Sequence, residues 1–585
     1  MAVVVVGAGD AAVMATAYAP VMPSWRRAMH EEADALCQRY EALKQQRAMW
    51  DFDWQDIVRL LVPMHDDIIE RIDPGQSRTT HIFDSHPLRA PQMLAANIMG
   101  SVTNQSREWR KLRFREEQLN ESQEVSGWMH ACDVRTMAAY SASNFYQAAH
   151  TYYVNLGAFG TAAMYEGTRM DSDGQHLCFK TLPTGSYVIA ENADGIVDTL
   201  KRELWYTPRQ AIQLFEGQVS EQMKTKADSP KDQDTPQKFL HCVYPRSDRD
   251  SERYDNRNMP FASKYIEFDT KFVCEEGGYE EFPFFVSRWE TLSRSPYGYG
   301  PGHIALPDVR VLNILRELHL QQLALWVQPP VQALEEGVIG NISLANRAVN
   351  IVRQMDAIRP IDLTGRPDLV QIDQADLRRS IDDSFFVHAL QALPPPDASN
   401  MTAYEVAQRI ELMTRLMGPV FYRLLAEFLN PLEDRTFGLM WRAGALPPPP
   451  MEVLQAAAQS GGQLDVDYDG PLARAQKGED VKAMFDLVRL GSAMVEMYGG
   501  AAAPGALSVL DNIDWDANFR HAAEVMGIPK ANIIDFREVV KVRALKAQQA
   551  QAMQQAQIQN ESMAAMGRVA PMIQALQDSP MAMVA

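Results

Sequence analysis

Three consecutive prolines, Pro394 to Pro396, sit in the stretch LPPPDASNMTAYEVAQRIELMTRLMGPVFYRLLAEFLNP, residues 393–431. A triple proline can join neither a helix nor a central strand, so Leu393, Pro394, Pro395, Pro396, Asp397, Ala398, Ser399 and Asn400 read as a stiff, projecting loop. Thr402 and Glu405 then form a capping box, the Thr hydroxyl accepting from the N–H of residue 405 while the Glu carboxylate reaches back to the N–H of residue 402. Val406, Ile410, Met413, Met417, Phe421, Leu424 and Phe428 follow three or four apart, one helical face. Within it, Gly418-Pro419 removes a backbone hydrogen bond and predicts a kink. Asn430-Pro431 is expected to end the helix. An ordinary kinked core helix would show the same spacing, so the use of this stretch is decided by its neighbours.

With 585 residues and 46% hydrophobic content, the chain can bury large cores in three or four compact units. Its 75 acidic and 56 basic residues give a net charge of -19, which argues against general tight binding to nucleic acid. Cys37, Cys132, Cys178, Cys242 and Cys274 are scattered without a CxxC pair, the usage of a reducing compartment, and predict free thiols and no structural metal.

The apolar run Ala2 to Met22 carries Gly7, Gly9, Asp10 and Pro20 and lacks a basic leading region. It reads as a flexible or surface-packed arm rather than a membrane span or a signal peptide. VVVVGAGDAA approaches a dinucleotide fingerprint, but Ala12 stands at the third glycine and no acidic residue follows at the required distance, so no cofactor is expected.

Further on, a charged amphipathic helix is predicted for Trp25 to Met49, and the aromatics Trp50, Phe52 and Trp54 lead into a second that stops at Pro63. Helices also fit Pro87 to Val102 and Glu121 to Leu156, with SREWRKLRF between them alternating like a strand. After Gly157 the period becomes two, through GTAAMYEG, LCFKTLP, SYVIAEN and GIVDTLKREL, which makes this part α+β. TPRQAIQLFEG is a short helix with a Thr207/Gln210 capping box, Pro208 at its first position and Gly217 closing it. About ninety residues without helical period follow, containing KFLHCVY, SKYIEF, TKFVCEE and EFPFFVSRW, and a helix from Pro307 through Trp326 closes the excursion. A helix that leaves, a β excursion with a turn at Glu276 to Tyr279, and a helix that returns suggest a stalk carrying a knob; an inserted β domain in an enzyme has the same order.

Enzyme signatures are missing. There is no GxxxxGK[ST], no HExxH and no GxSxG. Adjacent acids such as Asp66-Asp67 and Asp382-Asp383 point apart and usually mark solvated faces; His81 and His86 flank IFDS and read as structural. No enzymatic activity and no catalytic, cofactor or metal residue is therefore expected.

The stretch FVSRWETLSRSPYGYGPGHIALPDVRVLNILRELHLQQLALWVQPP resembles the signature of the head-to-tail connector, or portal, proteins of short-tailed bacteriophages. ASNMTAYEVAQRIELMTRLMGPVFYRLLAEFLNPL, GPLARAQKGED and NFYQAAHTYYVNLGAFGTAAMYEG resemble other parts of that family, in an ordered likeness from roughly Trp25 to Leu545. The resemblance implies a mostly helical α+β portal-type fold assembled as a homododecameric ring at one capsid vertex. Double-stranded DNA would enter through it during packaging and leave at ejection. Implied partners are the terminase large subunit, the tail adaptor, and the scaffold and major capsid proteins, with no membrane. The place would be the virion, after assembly in the host cytoplasm.

After the arm at 1–23, which does not carry the likeness, the resemblance further implies a wing at 24–204, stem helices at 205–218 and 304–328 around a clip at 219–303, and a second part of the wing at 329–392. A channel loop at 393–401, the kinked helix at 402–431 and a crown at 432–545 follow, while the tail at 546–585, outside the likeness, reads as a solvated helix or as one of a barrel of tails. An acidic, weakly binding lumen suits transport, because each neutralised phosphate adds salt-dependent affinity. Arg310, Arg316 and His319, on the presumed inner stem helix, are the candidates for touching DNA; ordinary surface ion pairs are the competing reading. After Pro431 the chain reads as helices with breaks, including GEDVKAMFDLVRLGSAMVEMYGG, IDWDANFRHAAEVMGI and a tail rich in Ala, Gln and Met. The alternative function is a soluble adaptor or scaffold protein without a DNA channel, and a third is an enzyme of unrecognised chemistry.

Overall fold

The computed structural model describes residues 24–387 and 417–468 with short breaks, concentrated in 335–366, then 484–490, 514–525, 538–553 and a few isolated residues. Two compact units divide the chain, Met1–Ala473 and Arg474–Ala585.

In the first unit, α1 (Ser24–Leu60) is one helix of 37 residues. The expected division at Trp50 does not exist: no Gly or Pro interrupts the run, and Trp54 is simply buried on the helix face with Ile57, Val58 and Leu61. After α2 (Ala90–Val102) and β1 (Arg110–Phe114), the single helix expected up to Leu156 is two, α3 (Gln123–Ala142) and α4 (Phe145–Phe159). Ser143 makes the break, its Oγ accepting from Phe145 N at 3.1 Å. Asn144 uses it, its amide donating to Phe179 O at 2.7 Å and accepting from Phe179 N at 2.9 Å, which closes part of a sheet edge.

Six alternating stretches form strands close to where they are expected: β2 (Thr161–Asp171), β3 (Gly174–Leu182), β4 (Tyr187–Glu191), β5 (Val197–Tyr206), then β6 (Gln237–Pro245) and β7 (Phe261–Glu267). Between β5 and β6 lie α5 (Pro208–Leu214), with its Thr207/Gln210 capping box, and α6 (Glu221–Asp228), which periodicity missed. Gly217, at φ +79°, closes α5 as expected.

β8 (Phe272–Tyr279) and β9 (Phe284–Arg288) complete two sheets, ordered β4-β5-β6-β7-β8 and β3-β2-β9. Here the stalk-and-knob reading of 207–328 fails. β6 pairs with β5 from Leu200↔Val243 to Tyr206↔Gln237, and β9 with β2 from Thr161↔Arg288 to Tyr165↔Phe284, so the excursion belongs to the main body. Glu276 to Tyr279 is the end of strand β8, not a turn. Helix α1 covers the larger sheet, burying Ala33, Leu36, Cys37 and Tyr40 against Val188, Leu240, Cys242 and Ile266.

Next come α7 (Pro301–Val327), the short strands β10 (Val331–Ala333) and β11 (Ile358–Pro360), and α8 (Pro367–Ser384). Helix α9 occupies 417–442, and Asn430-Pro431 does not end it. A π-turn at Leu425–Leu429, with Asn430 N bonded to Leu425 O, widens the helix just before Pro431. The wider turn relieves the clash of the ring with the preceding turn, so helix resumes at Asn430–Arg442. Phe428, Leu429 and Leu432 of α9 are fully buried, and Phe428 stacks on Tyr152 at 4.4 Å. α10 (Met451–Ser460) and β12 (Leu464–Tyr468), antiparallel to β1, close the unit.

In the second unit, α11 (Trp515–Val525) starts where expected, Asp514 Oδ1 accepting from Asp516 N and Ala517 N at 3.1 and 3.0 Å. Residues 538–553 are helical and exposed, and Arg543 pairs with Asp516.

Candidate functional site

The root of α7 is a contact between backbones. Gly302 lies so close to α4 that a Cβ there would stand 2.0 Å from Ala158 O. Gly160, at φ +68°, would meet Gly298 O at 2.4 Å in the same way. The glycines of SPYGYGPGH therefore seat the start of α7 on the end of α4, and Pro301 occupies the first helical turn, where a missing N–H costs nothing. The helix begins there rather than at Pro307, which it accommodates internally.

The two ends of α7 differ. Ala305, Leu306, Val309 and Leu312 are buried in the main core, whereas from Leu320 to Val327 no residue is buried. At about 1.5 Å per residue the helix is about 40 Å long and its distal part leaves the body. After the antiparallel pair β10–β11, α8 returns against α7, with Ser380 Oγ donating to Asp308 Oδ2 at 2.6 Å, and Ile381 and Phe385 re-enter the core. A helix out, a two-stranded end and a helix back is the order expected for 207–328, displaced to 301–384.

Polar contacts hold the arm at its base. Arg310 pairs with Asp56 of α1, and Asn313 donates to His81 O at 3.0 Å while accepting from Phe83 N at 2.8 Å. Arg378 meets Asp84 at 2.6 Å, and His86 Nε2 meets Asp382 at 3.0 Å. The Arg378 guanidinium and the His86 N–H hold the Asp84 carboxyl below its usual range, against the burial that raises it. His81 and His86 are thus structural, as their sequence setting suggested.

Of the three residues expected to face DNA, His319 is 6% exposed and cannot present itself to a polyanion. Arg310 is engaged by Asp56, while Arg316 is half-buried on α7. The loop Leu393 to Asn400 and the Thr402/Glu405 cap lie outside the described residues. Gly418 and Pro419 are helical, and the side of Gly418 is open, with nothing within 4 Å of a Cβ placed there.

Sequence reasoning did not find the clamp on the π-turn. Glu427 accepts from Arg288 N at 2.8 Å and from its guanidinium at 2.6 and 3.1 Å; the same guanidinium reaches Glu191 and donates to Gly195 O at 2.8 Å. Arg423, one turn earlier, donates to Trp289 O at 2.7 Å. The π-turn, which Pro431 requires, carries the carboxylate that fixes α9 to β9. A proline one turn after Glu427 was the available signal.

Opposite the buried face of α7 runs an apolar stripe: Ile304, Val311, Ile314, Leu318 and Leu325, each at least 47% exposed. The spacings of seven, three, four and seven residues are those of a helix seam that faces another helix. Among the described residues no helix is long and apolar enough to cross a membrane, and no group of three His, Cys, Asp or Glu could hold a metal.

The family described as "Bacteriophage head to tail connecting protein" matches residues 33–534. The probable portal protein of Bordetella phage BPP-1 is 30% identical over 547 residues, 91% of this chain and 94% of that protein. The portal protein of Salmonella phage epsilon15 is 28% identical over 533 residues, 89% and 92% of the two chains. A chain from the neck of an empty gene transfer agent particle overlays at a TM-score of 0.32 and 10% identity over 73% of this chain and 94% of that one, too loose a likeness to support anything further. The chain belongs to the bacteriophage head to tail connecting protein family. Its function is that of a portal protein, a structural component of the virion where the head meets the tail.

Proposed function

We propose that twelve copies of the chain close into a ring around a channel that passes double-stranded DNA during packaging and ejection. The observation that carries the reading is the stripe Ile304, Val311, Ile314, Leu318 and Leu325, an exposed helix seam that a neighbouring copy would cover. Burying one such side chain contributes about 1.5–3 kcal/mol, repeated at every contact of the ring. In this reading α7 and α8 form the stem in place of α5. The end around β10–β11 is the clip, which meets the terminase large subunit and then the tail adaptor. The body before α7 is the wing, and Leu393 to Asn400 is the channel loop. The residues after α9 form the crown, and the tail beyond residue 545 a helical bundle. Scaffold and major capsid proteins meet the ring in the host cytoplasm during assembly. Arg316 is the remaining cation proposed to touch the DNA backbone, and Gly418-Pro419 the proposed joint between loop and crown. The chain itself hydrolyses no ATP.

Negative-stain images of the purified chain test the assembly, and a ring with a central hole is expected. A monomer under all conditions would contradict the proposed ring. Particles rebuilt with Pro394 to Pro396 replaced by a Gly/Ser linker should form rings yet protect less DNA from nuclease. Parental protection would remove the loop from the channel.

A further inference from the structure

Four polar side chains run in single file through the interior of the first unit. Thr436 Oγ1 of α9 lies 2.8 Å from Glu166 Oε1 of β2; Tyr140 OH of α3 lies 3.0 Å from Thr436 Oγ1 and 3.0 Å from Glu433 Oε1 of α9. All four are at most 2% exposed. Around them stand Arg110 of β1, 2.6 Å from Glu433 and 3.3 Å from Asp133 of α3, and Arg435 of α9. Arg435 donates to the backbone carbonyls of Glu166 and Glu281 at 3.2 and 3.1 Å, and its Nε stands 4.0 Å from Glu166 Oε2, which accepts no hydrogen bond. Glu281, on the connection from β8 to β9, pairs with Arg442 at 2.6 Å. Arg110, Arg435 and Arg442 thus face Asp133, Glu166, Glu281 and Glu433. Farther out, Asp434 and Glu280 add negative charge, and Tyr279 lies under Arg435.

Three cations against four carboxyls leave one buried carboxylate without a counter-charge, a cost of several kcal/mol unless it takes up a proton. We propose that Glu166, Thr436, Tyr140 and Glu433 share one proton, forming a latch that fastens the β2–β3 hairpin and α3 to helix α9 and loosens when that proton leaves. Two hydrogen-bond polarities satisfy the file. With the proton on Glu166, that acid donates to Thr436, Thr436 to Tyr140, and Tyr140 to ionised Glu433; with the proton on Glu433 every donation reverses. Burial raises the Glu166 carboxyl to about 8. It raises Glu433 as well, to about 7, but the Arg110 guanidinium 2.6 Å away keeps it below Glu166, so the shared proton rests on Glu166. A group whose folded value is raised above its unfolded 4.5 stabilises the fold fully below pH 4.5, and that contribution is lost as pH rises toward about 8. The latch does not depend on ring assembly.

Thermal unfolding of the full-length protein from about pH 5 to about pH 10, beside Glu166→Gln, tests the latch. Between about pH 5 and about pH 8 the parent should lose stability with rising pH, with a slope of about one proton per chain more than the variant, and the variant should melt higher near pH 8. Difference infrared spectra at neutral pH should show a carboxylic-acid carbonyl band in the parent that is weaker in Glu166→Gln. Should that variant not fold, Thr436→Val breaks the file while leaving Glu166 in place, and the pH profile should move. Equal slopes in parent and Glu166→Gln, absence of the band in the parent, or an unmoved profile in Thr436→Val would each overturn the proposal.

Discussion

The arm formed by α7 and α8 and the helix α9 divide apolar and charged side chains in opposite ways. Along α7, Ile304, Val311, Ile314 and Leu318 face solvent while polar contacts such as Arg310 with Asp56 hold its base. Along α9, Phe428 and Leu432 fill the core together with Glu433, Arg435 and Thr436, which solvent does not reach. An apolar stripe in water gains by finding a partner of the same kind, whereas a buried ion persists only where its counter-ions are already fixed. The first arrangement suits a contact between copies, and the second the interior of one chain. Substitutions in the two regions should therefore fail differently.

The largest effect is expected at the buried end of the contrast. Arg110→Ala leaves Glu433 and Asp133 without their guanidinium and should destabilise the fold by about 3–5 kcal/mol, read as a fall in the denaturant midpoint. A loss under about 1 kcal/mol would mean that water reaches this cluster. Arg288→Ala should cost somewhat less, about 2–3 kcal/mol, because Glu427 retains part of its exposure and can be hydrated.

Between these and the surface lies Lys201, fully buried and donating to Leu36 O at 2.8 Å. Burial lowers it from 10.5 to about 8, so stability from this group is full above pH 10.5 and is lost as pH falls to about 8. Together with the opposite slope from Glu166, stability should pass through a trough near pH 8. Lys201→Met should remove the recovery on the alkaline side and leave the acid side unchanged. A parent profile without the trough would show that one of the two sites is hydrated.

How far these regions could be read in advance follows from what kind of information each requires. The cap of α5 is local, Thr207 and Gln210 being three residues apart, and the sequence carries it completely. The strands β2 to β7 were visible by alternation, but their partners were not. That β6 lies beside β5 and β9 beside β2 is decided by pairing across the fold, so alternation alone cannot separate a piece of the main body from a projecting knob. Pro431 predicts an end because proline cannot continue a regular helix, and the π-turn makes the helix irregular where that matters. Glu433, Asp434 and Arg435 have the composition of a solvated face. Only Arg110, Tyr140 and Glu166, hundreds of residues away, make Glu433 and Arg435 interior groups. The exposed stripe of α7 was the converse: its apolar residues were counted in a helix, but nothing local showed that the fold leaves them in water.

The smallest effect on the single chain is expected on that stripe, together with the largest effect on assembly. Leu318→Asp should change the stability of the isolated chain by no more than about 0.5 kcal/mol, since the side chain is 54% exposed. The mass of the purified protein by light scattering, parent beside Leu318→Asp, is the most direct test of whether the arm joins the copies. The parent should have the mass of a closed ring, and the variant should fall to single chains that melt like the parent's fold. A variant that still forms the parental ring would place the subunit contact elsewhere.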